Sequence, residues 1–187
     1  MFKPLVTEEE RKLVGYLAKK KKSKKVNVYF NKKAKSGSVK YFNGKFYSKK
    51  NKTTFTYRSS YELKFFLDLE SNVNVDSYVS ECLNVPYVDS AGTRRTYIPD
   101  LLVLYKVGSM EVLEIKPKEM VKDLDVQRKA AACRAYLEKH YKGEKMRYKF
   151  ITEKDLFKSN KDYQAFLREH RGKDFSKWVL NIICKQK

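Results

Sequence analysis

The sequence predicts a mixed α/β domain built on a central sheet, and three observations predict it. Strand-like runs rich in β-branched and aromatic residues fill the middle of the chain. Helical periodicity brackets them, and one long helix precedes a final strand, the pattern of helices packed on a sheet. At 187 residues the chain has the size of one compact unit with short extensions.

The elements follow in order. Thr7 to Lys22 reads as a helix: Thr7 and Glu10 make a capping box, Leu13, Val14 and Leu17 share one stripe, and lysines end it. Between Val26 and Tyr57 aromatic and β-branched residues alternate with lysines, and Asn43-Gly44 predicts a hairpin turn between Val39–Phe42 and Lys45–Tyr47. Half-buried strand packing and base stacking both account for these aromatics. Ser59 or Ser60 starts a second helix that carries Leu63, Phe66, Leu67 and Glu70 and ends near Ser71-Asn72. Strands are predicted over Val73 to Ser80, Leu83 to Val88, Tyr97 to Tyr105 and Met110 to Ile115. Leu124 to Tyr141 is helical, its propensity raised by Ala130, Ala131, Ala135 and Leu137. Met146 to Ile151 returns as a strand, Thr152 with Asp155 caps a short helix, and Tyr163 to His170 and Phe175 to Cys184 read as helices.

Lys and Arg number 42 against 22 Asp and Glu, a formal charge of +20, while 42% hydrophobic and 14% aromatic content excludes a disordered polycation. A folded protein that binds polyanions is expected. The charge is uneven: residues 1–60 hold 18 Lys/Arg and 3 Glu. Within them Lys19, Lys20, Lys21 and Lys22 open a run to Lys25 that suits either a solvated tail or a sequence-independent contact with nucleic-acid phosphates. No apolar run approaches the ~20 residues that span a bilayer, and Met1 to Thr7 lacks the hydrophobic stretch of a secretory signal. A cytosolic protein without membrane partners is expected. Cys82, Cys133 and Cys184 are too scattered for a disulfide framework or a metal knuckle, and buried thiols explain them. With His140 and His170 the only histidines, any metal must be held by oxygens.

Charge inside apolar strands needs a reason. Asp100 runs into Leu101-Leu102-Val103-Leu104, and Glu114 follows Val112-Leu113. Burying carboxylates is costly unless they are paired or bind a cation. A turn at Gly108-Ser109 lets Asp100 and Glu114 face each other and hold Mg²⁺, which favours oxygen ligands. Lys116, two residues after Glu114, points to the same face and suits a water or phosphate contact. Salt bridges at a sheet edge are the plain alternative for Glu114 and Lys116.

Pro99-Asp100, thirteen intervening residues and then Glu114-Ile115-Lys116 resemble the PD-(D/E)XK nuclease signature. A longer ordered series extends the resemblance: Tyr57-Arg58-Ser59-Ser60-Tyr61-Glu62-Leu63-Lys64-Phe65, Val85-Pro86-Tyr87, Tyr97 to Asp100, Glu114 to Lys118, and Phe150 to Leu156. It is similar to the head-completion nuclease of tailed phages, itself similar to the endonuclease subunit of Tn7-type transposases. The resemblance implies a restriction-endonuclease-like core over residues 44–156, with a basic arm over 1–43 and a helical extension over 157–187. It implies a Mg²⁺-dependent DNA endonuclease, Mn²⁺ substituting, that leaves 5′-phosphates. Asp100 and Glu114 become metal ligands, Lys116 the catalytic lysine, and Glu62 the residue that completes the metal shell or positions a water, although Ser59 and Glu62 also form a capping box. Arg58, Arg94, Arg95 and Lys118 flank these motifs as phosphate contacts, and Gln127, Arg128 and Lys129 open the next helix where related nucleases place a polar residue near DNA, although an exposed helix start also explains them. Implied partners are DNA, phage portal or neck proteins and a second copy of the chain, with the host cytoplasm or the virion as the place of action.

Two other readings compete. A structural head or neck assembly factor would dock through the stripe Phe175, Trp178, Val179, Ile182 and Ile183, which packing within the domain also explains. A non-catalytic nucleic-acid-binding protein would account for the charge without needing Glu62, Asp100, Glu114 and Lys116 together.

Overall fold

The computed structural model describes residues 12, 42–141, 146–173 and 175. Of the predicted first helix only Lys12, helical and exposed, is among them; Lys19, Lys20, Lys21 and Lys22 and the strands expected before Phe42 lie outside the described residues.

β1 (Gly44–Ser48) and β2 (Thr53–Tyr57) form an antiparallel hairpin with Phe46 opposite Phe55. The turn expected at Asn43-Gly44 falls instead at residues 49–52. There Lys52 takes a left-handed backbone with φ 50°, and the Ser48 hydroxyl oxygen accepts from Asn51 N at 3.1 Å and Asn51 Nδ2 at 2.7 Å. Gly44 serves another purpose: it pairs with Tyr57, whose hydroxyl would lie 2.5 Å from a Cβ added at Gly44.

α1 (Ser60–Ser71) is capped by Ser59 and buries Leu63, Phe66 and Leu69 on one stripe. The central sheet has the order β3 (Val75–Ser80), β6 (Leu101–Tyr105), β7 (Met110–Ile115), β8 (Met146–Ile151). β3, β6 and β7 run antiparallel, while β8 is parallel to β7, so the sheet is mixed as expected. A parallel neighbour needs a crossover, supplied by the 3₁₀ turn Lys118–Lys122, which the sequence did not announce, and α2 (Leu124–His140).

β4 (Val85–Val88) and β5 (Arg94–Tyr97) make a separate two-stranded hairpin. One strand was expected from Tyr97 to Tyr105; the structure breaks it at Ile98-Pro99-Asp100 and hands the chain from β5 to the central sheet. Pro99 lacks a donor for a ladder and restricts Ile98, so a sheet boundary falls there naturally. Val73 and Leu83 likewise precede their strands, which begin at Val75 and Val85.

The sheet is covered on both faces. Leu101, Val103, Leu113 and Ile115 join Phe46, Phe55, Phe66 and Tyr78 in one core, and Leu102, Leu104, Met110 and Val112 join Val85, Tyr97, Cys133 and Leu137 in the other. This double burial explains the unbroken apolar run of β6. α3 (Glu153–Leu156) has the expected Thr152/Asp155 capping box, and α4 (Asn160–His170) follows. Phe175 is buried against the edge of Tyr57 and the face of His170; Trp178, Val179, Ile182 and Ile183 lie outside the described residues. No helix among the described residues is long and apolar enough to cross a membrane.

Candidate active site

The pairing of Leu101 with Leu113 sets Asp100 beside Glu114 at one end of the sheet. The two-residue period of strands puts Asp100 in line with Leu102 and Leu104, and Glu114 in line with Met110 and Val112, on the face covered by α2. Asp100 Oδ2 accepts a 2.7 Å hydrogen bond from Ile115 N. Lys116 Nζ lies 2.8 Å from Glu114 Oε1. The other oxygen, Glu114 Oε2, accepts from the Tyr97 hydroxyl at 2.6 Å, and Tyr148 Oη stands 3.1 Å from Tyr97 Oη. These side chains, with Ile98, Val126 and Lys129, line a cleft of about 200 Å³.

Burial governs the electrostatics. Glu114 is only 6% exposed. Desolvation, then the charge of Glu114, pushes Asp100 up to about 7, against the pull of Lys116 and the Ile115 amide. Burial also opposes the charge on Lys116, yet the Glu114 hydrogen bond and the charges of Glu114, Asp100 and Glu62 outweigh it and hold the ammonium above the usual lysine value. Two carboxylates thus share the Lys116 ammonium, while Lys129 at the same cleft is paired with Asp125, and burial with mutual repulsion favours the protonated form of Asp100. An oxygen donor set of this kind fits a hard divalent cation that keeps several waters. Asp100 Oδ2 and both Glu114 oxygens can each accept a further partner beyond the present one. Among the described residues no group of three His, Cys, Asp or Glu converges to hold a metal, so Asp100 and Glu114 would be the protein's ligands.

The strands and helix that carry this cleft have a known counterpart. Residues 72–153 match the TnsA-like endonuclease N-terminal domain. No curated protein matches the chain. Over this stretch the chain is similar to a nuclease family related to the PD-(D/E)XK group, and its α/β architecture with a mixed central sheet accords with a nuclease-like fold. The match contains Asp100, Glu114 and Lys116 and begins just after α1.

The other expected residues stand around this cleft. Glu62, in the first turn of α1, spends its oxygens locally: Oε1 accepts from Ser59 Oγ and Oε2 from Arg58 N, both at 3.0 Å. Burial raises its pKa, and its charge still reaches Asp100 and Lys116. Arg58 pairs with Glu81, whose amide donates to Asp100 O at 2.9 Å, so that ion pair stands at the rim. Arg94 and Arg95 are exposed on β5, Arg95 with its Nε 2.9 Å from Asp89 Oδ2. Lys118 donates its amide to Glu153 Oε2 at 2.8 Å, and the neighbouring Lys154 lowers the pKa of its ammonium. Gln127 donates to Val121 O and braces the 3₁₀ turn outside the cleft lining.

Of the polar residues that line the cleft, Lys129 belongs to the helix start expected near DNA, whereas Tyr97 and Tyr148 carry no expected role. Tyr97 stood in the Tyr97–Asp100 motif without a role. Tyr148 gives no local signal, because β8 brings it in across the crossover. Cys133 lies buried beneath the site, where desolvation raises its thiol to about 12. It stays protonated and inert there.

Proposed function

We propose that the chain is a metal-dependent DNA endonuclease that hydrolyses phosphodiester bonds at the Asp100–Glu114–Lys116 cleft. The observation that carries this reading is the meeting of two carboxylates and one lysine in one cleft, within a stretch similar to a nuclease family. Asp100 and Glu114 would hold Mg²⁺, or Mn²⁺ in its place. A bound ion of this type supplies Lewis-acid polarisation of a phosphate oxygen and lowers the pKa of water. The chain's own residues do the rest. Lys116 keeps its charge, so its ammonium donates to the attacking water or to the phosphate oxygen where charge develops. Glu62 acts one step further out, orienting water from the α1 cap. Lys129 lines the same cleft and offers a cation to a neighbouring phosphate. Arg58, Arg94, Arg95, Lys118 and the Lys19–Lys22 run grip the DNA backbone outside it.

In this reading residues 44–156 form the catalytic core, 1–43 a DNA-gripping arm and 157–187 an extension. The ordered motifs shared with phage head-completion nucleases support a role in phage head completion and DNA packaging, with portal or neck proteins as partners. Cutting both strands would be served by a homodimer.

Supercoiled plasmid incubated with wild type and with Asp100→Ala in Mg²⁺, Mn²⁺ or EDTA tests the proposal, cleavage and DNA retention being recorded together. Metal-dependent nicking by wild type, lost in a folded variant that still retains DNA, is expected. Retention without cleavage by wild type in both metals would transfer the chain to the assembly-factor reading.

A further inference from the structure

Glu114 does not stand alone in its strand. Its Oε2 accepts a 2.6 Å hydrogen bond from the Tyr97 hydroxyl, and a carboxylate can only accept, so the Tyr97 proton is committed to Glu114. The Tyr97 oxygen is then the acceptor for Tyr148, 3.1 Å away. The result is a directed chain, Tyr148 to Tyr97 to Glu114, that ends on the carboxylate opposite Asp100. Tyr97 is buried and Tyr148 half-buried. The three residues come from three elements, β5, β8 and β7, and the Arg134 guanidinium lies over the Tyr148 ring at 5.2 Å.

This arrangement leaves Glu114 little freedom. Lys116 holds Oε1 and Tyr97 holds Oε2, so the carboxylate plane is fixed and each oxygen has one acceptor position left. Lys116 is a flexible chain near the cleft, whereas Tyr97 is a rigid ring only 6% exposed. The ring is therefore the firmer anchor. We propose that Tyr97 is a positioning residue that presents the Glu114 carboxylate to a divalent cation, with Tyr148 ordering its hydroxyl. This rests on the metal-dependent reading above and adds two residues to it. A hydrogen-bonded partner behind a metal carboxylate commonly changes metal affinity or activity 10–100-fold.

The test is Mn²⁺ titration of the full chain by calorimetry, with the free-ion electron paramagnetic resonance signal as a second readout and no DNA present. Wild type, Asp100→Asn, Tyr97→Phe and Tyr148→Phe are compared, each checked for folding by circular dichroism. Wild type should take up Mn²⁺ and Asp100→Asn should not. Tyr97→Phe should weaken uptake by roughly 10-fold, with Tyr148→Phe weakening it by a smaller factor. A folded Tyr97→Phe with wild-type affinity overturns the positioning role and leaves the endonuclease reading intact. Should Tyr97→Phe not fold, Tyr148→Phe decides alone, and unchanged affinity there overturns the proposal. Wild type that takes up no Mn²⁺, or Asp100→Asn that takes up as much, removes the metal site itself and this inference with it.

Discussion

Asp100 reaches across to the strand of its partner carboxylate and accepts a 2.7 Å hydrogen bond from Ile115 N, the amide next to Glu114. One carboxylate is thereby fixed by the backbone that carries the other. Their separation does not depend on a loop, and neither can relax away from the repulsion that, with burial, raises the Asp100 pKa.

A stability effect follows from that repulsion. The folded Asp100 carboxyl sits at about 7, well above its unfolded value of about 3.9, so the folded state binds more protons between those values and stability falls as pH rises through that window. In EDTA at about pH 8, Asp100→Asn should raise stability by roughly 1–2 kcal/mol, since the amide keeps an acceptor for Ile115 N and has no charge to desolvate. The advantage should shrink at about pH 5, where the wild-type group is protonated. Thermal denaturation at both pH values measures this, and equal melting of the two proteins at about pH 8 would contradict it.

Lys116→Met should take away the ammonium that serves Glu114 while leaving the aliphatic stem packed. Cleavage is expected to fall by roughly 100-fold or more, with DNA retention nearly unchanged. A plasmid time course with matched protein measures both, and wild-type cleavage by the variant would exclude Lys116 from the chemistry.

Glu62 has two candidate duties that one substitution separates. Gln keeps an acceptor for the α1 cap, so Glu62→Gln should change stability by less than about 0.5 kcal/mol, whereas Glu62→Ala should lose about 1 kcal/mol with the cap. If Glu62 also orients water at the cleft, Glu62→Gln should slow cleavage about 10-fold. Full activity in that variant assigns Glu62 to the helix cap alone.

Gly44 is required by space rather than by backbone freedom. A Cβ would meet Tyr57 Oη at 2.5 Å and ring carbon Cζ at 2.7 Å, and Tyr57 is held in the core against Phe175. Gly44→Ala should therefore destabilise the protein by about 1–3 kcal/mol. Urea denaturation is the measurement, and a neutral result would mean that the tyrosine ring yields at no cost.

The arginines of β5 should differ in their grip on DNA. Arg94→Ala should lower the slope of log affinity against log salt by about 1, while Arg95→Ala should lower it less, because Arg95 already answers to Asp89. Titrations across a salt series in EDTA read the slopes, and identical slopes for both variants and wild type would place β5 away from the DNA.

Much of this architecture was legible in the residues. Capping signals at Ser59 and Thr152 located α1 and α3, because a cap is a local bond between near neighbours. The strand expected over Met110 to Ile115 has those bounds in the structure, and its Glu114 lies in the cleft; a carboxylate within apolar sequence has few explanations. What misled was also local. Asn43-Gly44 has the composition of a turn, but the glycine is used for closeness to Tyr57, a residue thirteen positions away. The stretch from Tyr97 to Tyr105 has strand character on both sides of Pro99, and composition alone does not say that its two halves serve different sheets. Tyr148 was hidden for a plainer reason: it meets Tyr97 across 51 positions, and no periodicity spans that distance.

The parallel alignment of β7 with β8 also sets an order of assembly. Asp100, Glu114 and Lys116 sit on a hairpin whose ends are close in sequence, so they can come together early as the chain is synthesised. The strand bearing Tyr148 pairs with β7 only after the whole of α2 has emerged. A ribosome that has passed Lys116 therefore holds both carboxylates and their paired ammonium but neither Lys129 nor the far wall of the cleft. The nascent chain carries this charged cluster some thirty positions before it has the strand that encloses it.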